Sequence, residues 1–297
     1  MGPTMLFDLL IVGISIGVLY GLLALSVSLI YASLDIIHFA QGELYTMGAF
    51  LGLILFRFHI PFIPAMILAA AGTAAFAYLL LKTIYNPILK ISGGFSVRGL
   101  TFVVAGFGMA NILQNSYWVA WGVVSQSYNA SFGSGISLGS MTLQPVYFII
   151  MAVGIVLMCL LGFLFKKTKI GLAMRAVSYN KELSSIMGIH VGAVMALAFC
   201  MAAFFSSVAG VLGAQLTYVR YDMAATMLLK AFCSAVIGGM GNVFGAMLGG
   251  LMIGIVESVG GYLIGAQYKD VISYAIMVLV LLIRPSGLFK MKTAQKA

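Results

Sequence analysis

The sequence predicts an all-α protein that crosses a membrane about eight times, with some of its helices broken or re-entrant. Hydrophobic residues make up 62% of the 297 positions and charged residues only 8%, against about a quarter in a typical soluble domain. Apolar runs of about 20 residues recur from one end to the other. No polar stretch is long enough for a separate soluble domain. We therefore expect a single transmembrane domain over residues 1–297.

The apolar runs place the spans in order along the chain. They cover residues 6–33, 44–56, 61–81, 99–124, 145–165, 191–219, 226–240 with 243–264, and 268–283. The second run is short for a complete crossing, and we interpret it as one half of a broken helix. If 226–240 and 243–264 cross separately, the total is nine.

The basic residues indicate which connections face the cytoplasm. The net charge is +9, but twelve of the 16 basic residues fall between spans, in the regions 82–98, 166–190 and 284–296. This is the positive-inside pattern, so the charge reports orientation and not a nucleic-acid partner. The charge-free segment 125–144 is then predicted to lie outside, and the partner of the chain as a whole is the lipid bilayer.

Two of the predicted outward loops carry charges of both signs. Arg220 is two residues from Asp222, and Lys269 adjoins Asp270. Each pair is locally neutral, which is compatible with an outward loop under the same rule.

Sequence signatures of enzymes are missing. The three histidines are far apart, so no metal site is expected. There is no G-x-S-x-G turn for a nucleophile and no G-x4-G-K-[ST] phosphate loop. We predict that the chain is not an enzyme and binds no cofactor itself, so any ATP-driven transport needs the ATPase on another chain.

A polar cluster interrupts the first two apolar runs. Its members, within the stretch "LDIIHFAQGE", are Asp35, His38, Gln41, Gly42 and Glu43. We interpret the stretch as the break between two helical halves, which is tolerated only where protein or a water-filled cavity covers the backbone. Gly42 is expected to permit the turn, and Glu43 to stabilise the positive end of the next helix. A place in a translocation pathway is the alternative.

Lys230 and Glu257 are predicted to form a buried ion pair or to share a polar cluster. Each lies within an apolar run, where a lone charge costs about 2.5–3.5 kcal/mol at the helix centre, so such residues are usually paired. The two residues flank the same "GMGN" turn, and the lysine stem is long enough to reach across. Direct contact with a cargo is the alternative.

Glycines recur at four-residue spacing and predict close helix packing. Gly13, Gly17 and Gly21 form one stripe, and Gly245 and Gly249 form another. Such spacing gives a flat helix face that a second helix can approach. Packing within one subunit and a seam between subunits both fit the pattern.

The segment 166–190, "KKTKIGLAMRAVSYNKELSSIMGIHV", is the most informative connection. After a basic entry, apolar residues recur near helical spacing, which predicts a cytoplasmic helix with one apolar face. That face includes Ala176, Val177, Leu183, Ile186 and Met187. It fits a helix lying on the lipid surface and equally one that docks into the groove of a partner.

Four blocks, in this order, resemble the permease subunits of branched-chain amino acid ABC importers over nearly the whole chain. They are "YGLLALSVSLIYASLDIIHFAQGELYTMGAF", "RAVSYNKELSSIMGIHV", "LKAFCSAVIGGMGNVFGAMLGGLMIGIVES" and "LLIRPSGLFK". The family usually has Asn-Phe-Ala-His-Gly-Glu in the first block, whereas this chain reads His38-Phe39-Ala40-Gln41-Gly42-Glu43. The imidazole is thus displaced by three positions, and Ser184 stands where the family often has alanine.

The resemblance implies a type II-like ABC importer permease that forms the pathway for branched-chain or related amino acids. The displaced imidazole bears on the cargo, because relatives are thought to carry urea, amides or aromatic acids, and these stay open as an alternative. A stand-alone ion-coupled transporter, using Asp35, Glu43 or Glu257, is the other alternative.

The resemblance also implies partners. These are a homologous second permease, two ATP-binding subunits that hold ATP and Mg²⁺ at the cytoplasmic side, and an extracytoplasmic substrate-binding protein, all at the cytoplasmic (inner) membrane of a bacterium or archaeon. The residues implied in coupling to the ATPases are Arg175, Ala176, Leu183, Ile186, Met187 and Gly188.

Overall fold

The computed structural model describes residues 3–89, 95–128, 135–138 and 141–289. The α-helices in these ranges are α1 (Pro3–Leu34), α2 (Gln41–Arg57), α3 (Phe62–Leu80), α4 (Asn86–Leu89), α5 (Phe95–Trp121), α6 (Pro145–Lys167), α7 (Lys169–Tyr179), α8 (Lys181–Ile186), α9 (Val191–Leu216), α10 (Met223–Gly238), α11 (Val243–Leu263) and α12 (Lys269–Ile283). A π-helical turn, Leu81–Tyr85, joins α3 to α4, and a 3₁₀ turn, Ala266–Tyr268, precedes α12.

The predicted all-α membrane fold is confirmed. Within the described ranges, six helical segments are long and apolar enough to cross a membrane: Met5–Leu34, Phe62–Leu89, Pro145–Lys167, Val191–Leu216, Val243–Leu263 and Ala266–Ile283. α10 is a shorter apolar helix. α2, with 17 residues, is shorter than the ~20 residues that a complete crossing needs. The described strands form one small antiparallel hairpin of β1 (Ile136–Leu138) and β2 (Met141–Leu143).

The predicted connection at 82–98 begins too early. The helix that starts at Phe62 continues through the π-helical turn to Leu89, although the apolar run ends at position 81. The reason is that Leu81 and Tyr85 bury their side chains in the bundle and hold the extra turns against it. Lys90 lies outside the described residues.

α1 forms the centre of the bundle. It packs against α11, α9 and α10, and most of its length is buried. Its apolar residues face all directions instead of forming one stripe, as is typical of a helix surrounded by other helices.

The first glycine stripe lies where α1 meets α11. A Cβ added at Gly13 or Gly17 would lie 2.9 Å from the Cα of Ile255 or Leu251, respectively. One added at Gly21 would lie 3.1 Å from the carbonyl oxygen of Met247. The absence of side chains thus allows the two helix backbones to touch.

The second stripe lies on a different face of α11. A Cβ at Gly245 would meet the backbone of Gly238, and one at Gly249 would meet the carbonyl oxygen of Ser234. Both neighbours belong to α10. The structure therefore places the two predicted stripes in contacts within the subunit.

Candidate functional site

The break between α1 and α2 begins at Asp35. This residue has a φ of 59°, and its backbone N–H donates to the carbonyl oxygen of Tyr31 at 2.8 Å, which closes the end of α1. A short polar side chain such as aspartate tolerates this left-handed conformation better than a bulky one. The Asp35 side chain is exposed.

Gly42 does not make the turn, and that expectation is wrong. It lies in the first turn of α2 and is not among the described glycines with positive φ. A Cβ at this position would lie 2.9 Å from the Cβ of Leu228 and 3.0 Å from the carbonyl oxygen of Ala224. The glycine is therefore needed because α10 packs closely against the start of α2.

His38 and Gln41 form a buried hydrogen-bonded chain inside the break. The His38 Nε2 lies 2.7 Å from the Tyr85 hydroxyl, and Nδ1 lies 3.4 Å from Gln41 Oε1. The Gln41 amide nitrogen donates to the carbonyl oxygen of Ala202 at 3.0 Å. Because Gln41 Oε1 only accepts, the consistent arrangement has Nδ1–H donating to it while Nε2 accepts the Tyr85 proton. The two side chains thus connect α2 to the π-helical turn and to α9.

Aromatic rings enclose the imidazole of His38. The rings of Tyr85, Phe102 and Phe199 approach it edge-on, with centroids 5.0, 6.0 and 5.2 Å away. The imidazole is therefore shielded from solvent in a largely aromatic setting.

Glu43 lies in the first turn of α2 and is 6% exposed. Its Oε2 has no hydrogen-bond partner among the described residues, while its backbone carbonyl accepts from the Tyr117 hydroxyl at 3.0 Å. Thr46 Oγ1, one turn further along α2, is likewise buried without a partner in the described part of the chain. The position of the carboxylate at the positive end of a helix dipole is favourable for its charge.

Lys230 and Glu257 lie at the centre of a separate buried cluster. The Lys230 Nζ is 2.7 Å from Glu257 Oε1 and 2.9 Å from Asp270 Oδ1. It also donates to the Tyr20 hydroxyl at 3.1 Å, and the Ser273 hydroxyl donates to Glu257 Oε2 at 3.4 Å. The cluster joins α10, α11, α12 and α1 at one point.

The cluster contains a third charged residue, Asp270, that the sequence analysis did not assign to it. The sequence placed Asp270 in a neutral pair with Lys269, its neighbour in an outward loop. In the structure Asp270 pairs with Lys230, because both residues lie where α12 packs against α10 and α11. The pair of Arg220 with Asp222 is present, with two hydrogen bonds.

α7 and α8 form the connection between α6 and α9, and each begins at a side-chain cap. The hydroxyl of Thr168 accepts from the backbone N–H of Gly171 at 3.1 Å, and Asn180 Oδ1 accepts from that of Leu183 at 2.9 Å. Such caps satisfy N–H groups that a helix start leaves unpaired. The two short helices therefore have well-defined starting points and a sharp turn between them.

The sequence predicted that the apolar residues of this segment share one face, and this prediction is wrong. In α7, Met174 and Val177 are buried against the bundle, and Arg175 and Ala176 are half-buried. In the region of α8, Leu183, Ile186 and Met187 are exposed, at 53, 81 and 75%. The separation arises because the chain turns at Asn180, between the two helices. Gly188 follows with a φ of +83° and open space around its Cα.

A family model described as "branched-chain amino acid transport system / permease component" matches residues 9–281. The chain belongs to this family. The permease is 30% identical to the high-affinity branched-chain amino acid transport system permease protein BraD of Pseudomonas aeruginosa, over 97% of this chain and 96% of BraD. It is 28% identical to the corresponding protein LivH of Escherichia coli K12, over 96% of this chain and 95% of LivH. It is thus a permease subunit of an ABC importer and a multi-pass membrane protein that works in a complex with other subunits.

A solved structure shares the fold of the permease. It is described as PsaBC from Streptococcus pneumoniae in complex with Fab, and it matches with a TM-score of 0.50 at 17% identity, over 94% of this chain and 92% of that one. At this identity the likeness concerns the fold alone.

The segment formed by α7, α8 and Gly188 was predicted to couple to the ATPases, and we call it the coupling segment. It adjoins the break. A cavity of about 580 Å³ separates them, with Leu34, Asp35 and Ile36 on one side and residues 177–182 on the other. A second cavity, of about 520 Å³, brings Asp35 and Ser178 together with the Gly239–Gly241 turn. α7 therefore faces the end of α1 across these cavities.

Two site residues of the permease escaped the sequence reasoning. Tyr85 falls in a region that was predicted to be a loop, so nothing marked it as a partner for His38. Asp270 adjoins a lysine, and its pairing with Lys230 depends on how α12 packs. Local sequence carries no signal for either contact.

Proposed function

We propose that this permease carries branched-chain or related amino acids into a bacterial or archaeal cell across the cytoplasmic membrane. A second permease chain, two ATP-binding subunits and an extracytoplasmic binding protein complete the transporter. ATP and Mg²⁺ bind the ATP-binding subunits and not this chain.

One observation carries the proposal beyond family membership. Leu183, Ile186 and Met187 project together from a capped, two-helix segment whose other side is anchored in the bundle. Three exposed apolar side chains at a helix end are the kind of anchor that a groove on a partner protein accepts. We assign this end of the coupling segment as the contact with an ATP-binding subunit.

The anchored side of the segment supplies a route from the ATPase to the membrane. Val177 is buried, and Met174 is buried in the main hydrophobic core, so we expect α7 to move with the bundle instead of sliding over it. Closure of the ATP-binding subunits would push α8, shift α7 and act on the end of α1 at Leu34 and Asp35. In this account the break at residues 35–40 is the point at which the pathway responds.

The transport of amino acids is tested with the complete complex in liposomes. The binding protein loaded with leucine, isoleucine or valine should stimulate ATP hydrolysis and drive uptake of the same amino acid. A complex that assembles but does not respond to any of the three would contradict the proposed cargo.

A specific observation favours the alternative class of cargo. His38 and Gln41 depart from the family pattern, and both are committed to a buried hydrogen-bonded chain with Tyr85. A different polar arrangement at the break is compatible with another small polar cargo, such as urea, an amide or an aromatic acid. The same liposomes, supplied with these compounds, distinguish the two cargo classes by which of them stimulates ATP hydrolysis.

The coupling assignment has its own variant. Met187→Ser should leave assembly with the ATP-binding subunits measurable but lower the number of cargo molecules moved per ATP. Leu172→Ser is the matched control, because Leu172 is also exposed in the same segment but lies outside the proposed contact. Normal transport per ATP in the Met187→Ser complex would show that the contact lies elsewhere.

A further inference from the structure

α5 differs from the other long helices because its uncovered side carries polar side chains. Its 27 residues give a length of about 40 Å, which is long enough to cross a membrane, although α5 is not among the six described segments that are also apolar enough. Its inner side is aromatic: Phe50 of α2 stacks on Tyr117 and Trp121, with centroids 5.4 and 4.4 Å away. Its opposite side is uncovered in the described chain.

Amide side chains lie at the centre of that uncovered side. Asn111 and Asn115 are both exposed and are spaced four residues apart, so they lie one above the other on the helix. Gly108 is on the same side, one turn before Asn111, and a Cβ added there would meet nothing within 4 Å. Val104 and Ile112 are exposed beside them. We call the side defined by Val104, Gly108, Asn111, Ile112 and Asn115 the α5 face.

The α5 face is unsuited to lipid. Each asparagine nitrogen donates to the backbone carbonyl four residues earlier, at 2.9 Å for Asn111 and 2.8 Å for Asn115. Each of these bonds uses one donor of an amide that has two donors and an acceptor oxygen. Hydrocarbon chains supply no partner for the rest, and polar groups in membrane segments normally face protein or water.

The outward faces of other long helices provide a contrast. The exposed middle of α6 carries Ile155, Val156, Leu160 and Phe163, and that of α12 carries residues such as Val278 and Leu279. These are apolar side chains of the kind that contact lipid. Over the described length of the chain, the α5 face is the place where asparagines occupy the centre of such a surface.

The geometry points to the second permease chain as the occupant of the α5 face. This inference rests on the proposed function, which includes that chain. A glycine beside two amides allows close approach and interhelical hydrogen bonds, which are the two main contributors to helix association in membranes. The facing helix of the second chain supplies the hydrogen-bonding groups for Asn111 and Asn115, while Val104 and Ile112 pack at the sides.

The other possible occupants fit less well. The ATP-binding subunits contact the coupling segment and the binding protein lies outside the membrane, so neither reaches the middle of a membrane helix. A water-filled pathway would satisfy the amides, but it would also wet Val104, Ile112 and Val119, which are all more than 60% exposed. A second membrane chain satisfies both kinds of side chain.

Cross-linking within the assembled transporter tests the inference. The three native cysteines, Cys159, Cys200 and Cys233, are replaced by serine or alanine, and one cysteine is placed at Ile112 or, as the control, at Phe163 on α6. Each cysteine carries a benzophenone probe, and the adducts formed on illumination are identified by mass spectrometry. We expect Ile112→Cys to give peptides of the second permease chain and Phe163→Cys to give lipid adducts.

Two outcomes would overturn the inference. One is a set of Ile112→Cys adducts containing only lipid, or peptides from the ATP-binding subunits or binding protein. The other is rapid reaction of Asn115→Cys with a water-soluble maleimide in the intact complex, which would assign the α5 face to a wet pathway. Failure of the proposed function looks different, because then no second permease chain co-purifies with the unmodified protein.

A second measurement does not depend on a probe. An average interhelical hydrogen bond in a membrane changes an association constant about 2.8-fold, so the loss of two changes it roughly eightfold. We expect the double variant Asn111→Leu, Asn115→Leu to retain the second permease chain about eightfold less well during detergent dilution. The double variant with glutamine at both positions keeps the amides and should retain it better. Equal retention by wild-type and leucine variants would contradict the inference.

Discussion

The buried cluster around Lys230 allows the most quantitative prediction of stability. The substitution Lys230→Met removes the only cation that the described structure places against Glu257, whose side chain is 6% exposed. Asp270 is 56% exposed and can turn towards water, so the loss falls mainly on Glu257. Removing one partner of a buried ion pair costs about 3–5 kcal/mol, because the remaining charge is left uncompensated. On a scale of about 2 °C per kcal/mol for a large chain, the melting temperature should fall by roughly 6–10 °C.

The assay is thermal unfolding of the purified permease in detergent. Unfolding is monitored by the fluorescence of a thiol-reactive dye or by loss of the monodisperse peak in size-exclusion chromatography. Arg220→Met is the matched control, since it breaks the exposed pair with Asp222, and such a pair contributes about 0–1 kcal/mol. The double variant Lys230→Met, Glu257→Gln removes both charges and should recover most of the loss, because glutamine can still bond to Tyr20 and Ser273. If Lys230→Met unfolds at the same temperature as Arg220→Met, the cluster does not stabilise the bundle in the way described.

Two further predictions concern packing and the break. Gly17→Ala should destabilise the permease by about 1–3 kcal/mol, because its Cβ would lie 2.9 Å from a backbone Cα of α11. Gly192→Ala is the control and should be close to neutral, because there is open space around Gly192. Unfolding curves that shift equally in the two variants would contradict the α1–α11 contact. Tyr85→Phe should lower the free energy of unfolding by about 1–3 kcal/mol, since it leaves the buried His38 Nε2 without its donor. Tyr78→Phe, at an exposed position, should lower it much less. If the two variants unfold at the same temperature, the His38–Tyr85 bond is ruled out.

Periodicity and hydropathy were sufficient to predict the helical fold. They were less successful in predicting where each helix ends. The run that begins at Phe62 continues eight residues beyond the predicted end, because the burial of Tyr85 outweighs the polar residues around it. The break after α1 was predicted correctly, but its turn residue was not. Gly42 looked like the turn on propensity, whereas the contact with Leu228, which is distant in sequence, accounts for that glycine.

The candidate sites show the same division between local and distant information. The spacing of apolar residues in the coupling segment predicted one cytoplasmic helix with one apolar face. The structure has two short helices there, with an inner and an outer apolar side, because the chain turns at Asn180. Lys230 and Glu257 were proposed as partners from their shared position in apolar runs. Asp270 and Tyr85 could not be found in this way, since their roles depend on which helices become neighbours.

ATP dependence of cargo uptake tests the central claim most directly. Liposomes containing the complete complex, with ATP inside the compartment that holds the ATP-binding subunits, are compared with liposomes containing the permease alone under a proton or sodium gradient. We predict uptake of leucine, isoleucine or valine in the first case, a marked fall with Met187→Ser, and no uptake in the second. Gradient-driven uptake by the permease alone, unaffected by Met187→Ser, would contradict an ATP-driven mechanism.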